Sequence, residues 1–113
     1  MSIRYSNKYS DNNYRASFFL GRYLNTVRSQ RAIEVIDSDT GEVLFTATVH
    51  IPDEVLKDDE VIIKSYSENE GVLQWLYDNG IVTEIVRNIQ CGYCLAQVCK
   101  VDFDKIKAHE YKY

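Results

Sequence analysis

Residues Glu42 to Ile51 alternate: Val43, Phe45, Ala47, Val49 and Ile51 fall on one face of an extended chain, and Leu44, Thr46, Thr48 and His50 on the other. A period of two is that of a half-buried antiparallel strand. The run before it, Asp37-Ser38-Asp39-Thr40-Gly41, combines short polar side chains that cap turns locally with a glycine that permits positive φ. With Arg31 to Ile36 as its first arm, this is a hairpin, and it commits the chain to an antiparallel sheet.

The rest of the chain builds on that hairpin. Tyr14 to Leu24, with Phe18, Phe19, Leu20, Tyr23 and Leu24, favours a strand bent or bulged at Gly21, although a short helix also fits. Pro52 cannot donate to a ladder, so residues 52–59 read as a strand exit and a charged loop. Val61 to Tyr66 is apolar on both faces, which predicts a central strand. Ser67-Glu68-Asn69-Glu70 has capping-box spacing and opens a helix of about three turns, with Val72, Leu73 and Leu76 as its stripe, Trp75 and Tyr77 beside it, and Asn79-Gly80 as its stop. Ile81 to Ile89 and Cys94 to Phe103 form a closing hairpin turned at Gly92, and a last helical turn centres on Ile106. The expectation is an α+β fold, an antiparallel sheet of about five strands with one main helix packed on one face. The 113 residues suffice for one core, so 1–13 is expected to be a flexible polar arm, in which Tyr5 and Tyr9 could dock, 14–107 a single domain and 108–113 a tail.

No apolar run approaches the roughly 20 residues of a membrane span, and Met1 to Lys8 lacks the apolar core of a secretion signal, so a cytoplasmic protein is expected. Three cysteines, an odd number, point to reduced thiols. Charge is segregated: residues 34–84 hold 13 of the 17 acids and only Lys57 and Lys64 as bases.

Cys91-Gly92-Tyr93-Cys94 has the spacing of a redox pair or half a zinc site, with Cys99, His50 and His109 as further ligand candidates. A redox motif should open a helix, whereas this one sits at a hairpin, so Cys94 and Cys99 are read as small buried hydrophobes. A cysteine nucleophile would need His50 or His109 as its base, and no third, orienting residue suggests itself. Asp58-Asp59-Glu60 and Glu68-Asn69-Glu70 fall in a loop and at a helix start, where acids are structurally favoured. The five glycines are isolated and offer no phosphate cradle. Arg15, Arg22, Arg28 and Arg31, interleaved with Tyr14, Phe18 and Tyr23, could hold nucleic acid, but the acidic middle would repel it, so direct nucleic-acid binding is not expected. No catalytic residue, metal or cofactor is assigned.

Arg31-Ala32-Ile33-Glu34-Val35, Gly41-Glu42, Thr46-Ala47-Thr48-Val49-His50-Ile51-Pro52-Asp53, Ser67-Glu68-Asn69-Glu70 and Cys91-Gly92-Tyr93-Cys94 together resemble an uncharacterised family of small proteins encoded on conjugative elements and phages of gut bacteria. The similarity spans roughly residues 23–107. Family members commonly carry serine where Cys91 stands and an aromatic-Pro pair after the glycine; this chain has neither, so Cys91 is not read as an obligatory ligand. That family has no established activity; the lack of a catalytic constellation, the charge segregation and the resemblance together lead to the expectation of a non-catalytic accessory protein in the cytoplasm of a bacterial host, one that binds and inhibits a host defence protein in the manner of an anti-CRISPR. Asp53, Glu54, Asp58, Asp59, Glu60, Glu68 and Glu70 could form the acidic binding surface, imitating nucleic-acid phosphates in the groove of a defence nuclease. One alternative is capture of a nucleotide-like metabolite by Arg22, Arg31, Tyr66, Trp75 and Tyr93; another is a small zinc or cysteine-dependent protein. Because one helix shields only part of a sheet, a homodimer is a further expectation.

Overall fold

In the computed structural model the hairpin forms where its turn chemistry requires. The structure describes residues 3–6, 13–22, 30–51, 54–66 and 69–112, with the backbone alone at Arg22 and Cys91. β3 (Arg31–Asp37) and β4 (Val43–Thr46) are joined through Asp37, whose carboxylate accepts from the amide of Asp39 at 2.9 Å and whose carbonyl accepts from Gly41 at 2.8 Å. Gly41 has φ +79°, and a Cβ there would stand 2.7 Å from the Tyr111 hydroxyl, so both the turn and its packing call for glycine.

The predicted alternation along residues 42–51 fails on both sides of Thr46: before it the β3–β4 pairing shifts register between Val35 and Ile36, and after it the chain changes partner. Val43 is exposed, while the neighbours Ala47 and Thr48 are both buried. For Ala47 and Thr48 the change of partner is the cause. Ala47 N still donates to Ile33 O of β3, but Ala47 O accepts from Lys64 N, and Val49 N donates to Ile62 O. Residues 47–49 therefore pass from β3 to β5 (Glu60–Ile63), with Thr48 bridging Ile63, and a segment covered on both sides has no solvent face to show as a period.

Among the described residues seven strands form, in two antiparallel sheets instead of one sheet of about five. The first has the order β1-β2-β3-β4 and the second β5-β7-β6, where β1 is Ile3–Ser6, β2 Asn13–Arg22, β6 Val82–Cys91 and β7 Cys94–Val101. β1 lies in the stretch expected to be a flexible arm, yet Ile3 and Tyr5 are buried and pair with Ala16 and Tyr14. Beyond it, the edge of β2 is taken by the chain's other end: Phe18 N donates to His109 O at 3.0 Å and Tyr111 N to Phe18 O at 2.8 Å, so residues 109–111, expected to trail as a tail, are tied to the sheet. Gly21 pairs with Ala32 in unbroken register, without the predicted bulge. Tyr9, Tyr23, Leu24, Arg28 and Pro52 lie outside the described residues.

β5 is buried at all four positions, and its residues and those of β7 divide between two apolar clusters on opposite sides. Val61, Ile63, Cys99 and Val101 join the larger core, which two short helices cover: α1 (Val72–Asp78) through Val72 and Leu76, and α2 (Phe103–Ala108) through Ile106. Ile62, Ala96 and Val98 form the smaller cluster under Val49, Ile51, Leu56 and Tyr66. That cover is pinned by the buried Gln30, whose Nε2 donates to Ile51 O at 2.6 Å and Glu54 O at 3.1 Å. A radius of gyration of 13.5 Å agrees with the roughly 13 Å expected of one domain this size.

α1 stops as predicted: Gly80, at φ +73°, donates to Tyr77 O and Ile81 N donates to Leu76 O, the paired bonds of a left-handed terminus. Its start differs. The helix opens at Val72 behind a left-handed Gly71, with no side-chain cap, and is about two turns long. Ser67 and Glu68 lie outside the described residues, and Glu70 is exposed ahead of the helix. Asn69 is committed elsewhere. Buried, it donates through Nδ2 to Thr46 O at 2.7 Å and Lys64 O at 3.2 Å, closing the junction between the sheets. Asn69→Ala leaves those carbonyls without that donor and is expected to lower stability by about 2 kcal/mol, read as a reduced urea midpoint at unchanged slope.

Candidate binding surfaces

The acidic residues proposed as one surface are dispersed. Asp53 and Glu68 lie outside the described residues. Glu60 is buried, and its Oε1 accepts from Lys57 N at 2.8 Å, so this carboxylate closes the turn into β5 and faces no partner. Asp58 and Asp59 are exposed in that turn, with Asp59 O accepting from Val101 N. Glu70 is exposed and follows the other end of β5 in the chain. Glu54 pairs with Arg87 on β6. Other acids also have local cationic partners: Asp39 meets Arg15 at 2.7 Å and Glu84 lies 3.9 Å from Lys100. Among the described residues of this set, Glu60 is buried and Glu54 is paired, which leaves Asp58, Asp59 and Glu70 as its exposed acids.

The second set is scattered as well. The side chain of Arg22 lies outside the described residues; Arg31 stacks on Phe103, its guanidinium carbon 4.9 Å from the ring centroid. Trp75 belongs to the core, edge-on to Tyr5 at 5.0 Å and near Phe45 at 6.2 Å, with Nε1 donating to Arg4 O at 2.6 Å. Tyr93 stands fully exposed in the two-residue turn between β6 and β7, while Tyr66 packs on the smaller cluster, across the sheet from Trp75.

The thiols are similarly separated. Cys91 and Cys94 are cross-strand partners at the hairpin turn, the side chain of Cys91 lying outside the described residues. Cys94 and Cys99 are five residues apart on one strand and so face opposite ways. Cys99, fully buried between Val61 and Ile85 in the ladder, has its pKa pushed from 9.0 up to about 12 by burial. Among the described residues no three or more His, Cys, Asp or Glu side chains gather as metal ligands, and no helix is long and apolar enough to cross a membrane.

Two surfaces that the sequence did not single out flank residues 64–66. One lies between α1 and β6, where Ser65, Leu73, Gln74, Tyr77 and Ile85 line an open groove of about 360 Å3. β6 ends its sheet, and its pairing with β7 is interrupted between Val82 and Glu84 and again between Ile85 and Arg87. The extra residues, Thr83 and Val86, break the regular ladder that an added strand would need, a common protection of edge strands. The groove, more than the bare edge, is therefore the recognisable feature here. The other surface is a cleft at the sheet junction beside His50, Lys64 and Tyr66. Ile85, next to Val86, is the residue of β6 that lines the groove, and this adjacent apolar pair is its sequence signal; the cleft had none, because its walls come from distant segments.

No family model, curated protein or solved structure matches the chain.

The buried thiol gives a direct check of the packing. With Cys91 and Cys94 replaced by serine, Cys99 is expected to resist a thiol reagent in the native state and to react promptly in urea. Because the folded pKa is raised, the unfolded chain loses its proton first; this contribution to stability is full below pH 9 and is lost as pH rises from 9 towards about 12. The same titration in a Cys99→Val variant should flatten.

Proposed function

We propose that this protein is a non-catalytic binding module that engages another protein through the face formed by α1 and the β6–β7 hairpin. One observation carries the reading. Of the seven large apolar side chains exposed among the described residues, five (Tyr77, Ile85, Val86, Tyr93 and Leu95) lie on these elements, while the others, Val43 and Val55, are isolated. Monomers seldom leave such residues concentrated without use. Polar groups between them are already arranged: Ser65 Oγ donates to Gln97 Oε1 at 3.0 Å and Gln97 Nε2 donates to Asn88 Oδ1 at 3.3 Å. Apolar and tyrosine anchors around a satisfied polar rung are the usual composition of a protein interface.

The class of partner comes from the family resemblance alone. It favours a host protein, a defence nuclease being the sharpest case, which an accessory protein of a phage or conjugative element would inhibit in the manner of an anti-CRISPR. The acids contribute here as a polar rim rather than as a mimic of nucleic acid.

Capture from host lysate tests this with paired variants. The wild-type chain is expected to retain a specific protein; Tyr77→Arg combined with Ile85→Asp should weaken retention by at least 100-fold, and Val55→Asp, on the loop over the opposite face, should not. Equal retention by all three, or a self-associated form of this chain as the only retained species in light scattering at several concentrations, would count against the reading.

A further inference from the structure

A pocket of about 370 Å3 lies where the last turn of α1 meets α2. Tyr77, Asp78, Asn79 and Gly80 form its α1 side, Lys105 and His109 its α2 side, and the buried Ile3 of β1 completes the lining. From these we infer that the pocket is a binding site for a free α-amino acid with an apolar side chain. Its carboxylate lies at Lys105 and His109, its ammonium at Asp78 and Asn79, and its side chain against Tyr77 and Ile3.

The two sides carry opposite charges that do not neutralise each other. The Lys105 ammonium has no hydrogen-bond or ion-pair partner among the described residues. It is nevertheless held at the pocket: Gly80, at φ +73°, has no Cβ, and the lysine occupies the room this leaves. A Cβ there would stand 2.7 Å from Nζ and 3.7 Å from both Cδ and Cε, so the stem lies across the end of α1. The helix does not need this lysine as a cap, because Trp75 O, Leu76 O and Tyr77 O already accept from the amides of Asn79, Ile81 and Gly80. On the α1 side, Asp78 accepts from Gln74 through Oδ1 at 2.7 Å and keeps Oδ2 for another donor. Asn79 donates through Nδ2 to Trp75 O at 2.8 Å, which fixes the amide and leaves Oδ1 as an acceptor. His109 is anchored through its carbonyl, which accepts from Phe18 N, and its ring carries an N–H in either tautomer. Donors on one side and acceptors on the other match a zwitterion; a simple anion would leave Asp78 without a counter-charge, and a simple cation would do the same to Lys105. In an α-amino acid both charges hang from one carbon, whose side chain is then available to the half-exposed Tyr77 ring and to Ile3. Small-molecule sites commonly enclose about 300 to 1,000 Å3, and a pocket at the small end of that range suits a single amino acid.

The test removes each charge in turn from ligand and protein. Isothermal titration of the full chain is made with leucine, isoleucine, methionine and phenylalanine, with their N-acetyl derivatives, which lack the ammonium, and with their amides, which lack the carboxylate; amide-proton NMR maps the site. The expected result is millimolar or tighter binding of at least one free amino acid, at least tenfold tighter than either of its derivatives. Shifts should concentrate at residues 77–80, Lys105 and His109. Lys105→Met, which keeps a stem over Gly80, should weaken the free amino acid at least tenfold without weakening its amide further. Asp78→Asn, at an exposed position, should do the same without weakening the N-acetyl derivative further, and it supplies an independent loss should Lys105→Met fold poorly. No binding, shifts centred elsewhere, a derivative bound as tightly as its parent, or undiminished affinity in the folded variants would overturn the assignment. Tyr77 touches both this pocket and the protein-binding face, so the control is Ile85→Asp alone, which should leave amino-acid affinity unchanged. Lys105→Met should in turn leave capture of the lysate partner unchanged, so failure here and failure of the protein-binding reading are distinguishable.

Discussion

Three residues, Ala47 to Val49, hold the molecule together. Their backbone groups serve both sheets, with Ala47 N bonded to β3 and Ala47 O to the chain leaving β5. Such a crossing is costly unless its polar groups are satisfied, because it is buried and cannot turn to water. Side chains complete the accounting. Thr48 Oγ1 accepts from Ile33 N at 3.2 Å, and Asn69 supplies donors to Thr46 O and Lys64 O where the ladders part. Both apolar clusters depend on this junction, since β5 contributes alternate residues to each and is held on its second side only here.

That arrangement explains what could be read from the sequence and what could not. Local chemistry was legible: the Asp37–Gly41 turn, the glycine stop after α1, the Gly92 hairpin and the helical turn around Ile106 all rely on residues within a few positions of one another. Elements defined by distant partners were not. β1 is four residues long, with Ile3 and Tyr5 as its only inward side chains, and becomes a strand because β2 is present to pair with it. The capping-box spacing at Ser67 to Glu70 predicted a helix start there, whereas α1 opens at Val72 and Asn69 within that spacing serves the junction. Gln30, buried and bonded to the loop over the smaller cluster, carried no sequence signal at all.

The acidic middle of the chain illustrates how composition can overstate function. Asp37 orders a turn, Glu60 closes another, Glu54 meets Arg87, and Asp39 meets Arg15. Three acids of this middle stretch meet bases from the flanks in space: Asp39 with Arg15, Glu54 with Arg87 and Glu84 with Lys100. Exposed pairs of this kind contribute about 0 to 1 kcal/mol each, so their effect is on local geometry and solubility more than on stability. Among the described residues of the aromatic and basic set, Tyr66 packs on the smaller cluster and Trp75 on the larger, on opposite faces of the sheet.

The groove and the sheet-junction cleft are backed by one short segment. Successive residues of an extended chain point to opposite sides, and after β5 this places Ser65 at the groove beside α1 while Lys64 and Tyr66 line the cleft. Residues 64–66 are held from both directions, by Ala47 through Lys64 N and by Asn69 through Lys64 O and Tyr66 O. Any displacement of this segment by a partner in the groove is therefore felt at the junction. The size of that effect depends on how far the segment can move. Its hydrogen bonds to the junction argue for little movement, so the segment should act as a rigid support for the groove.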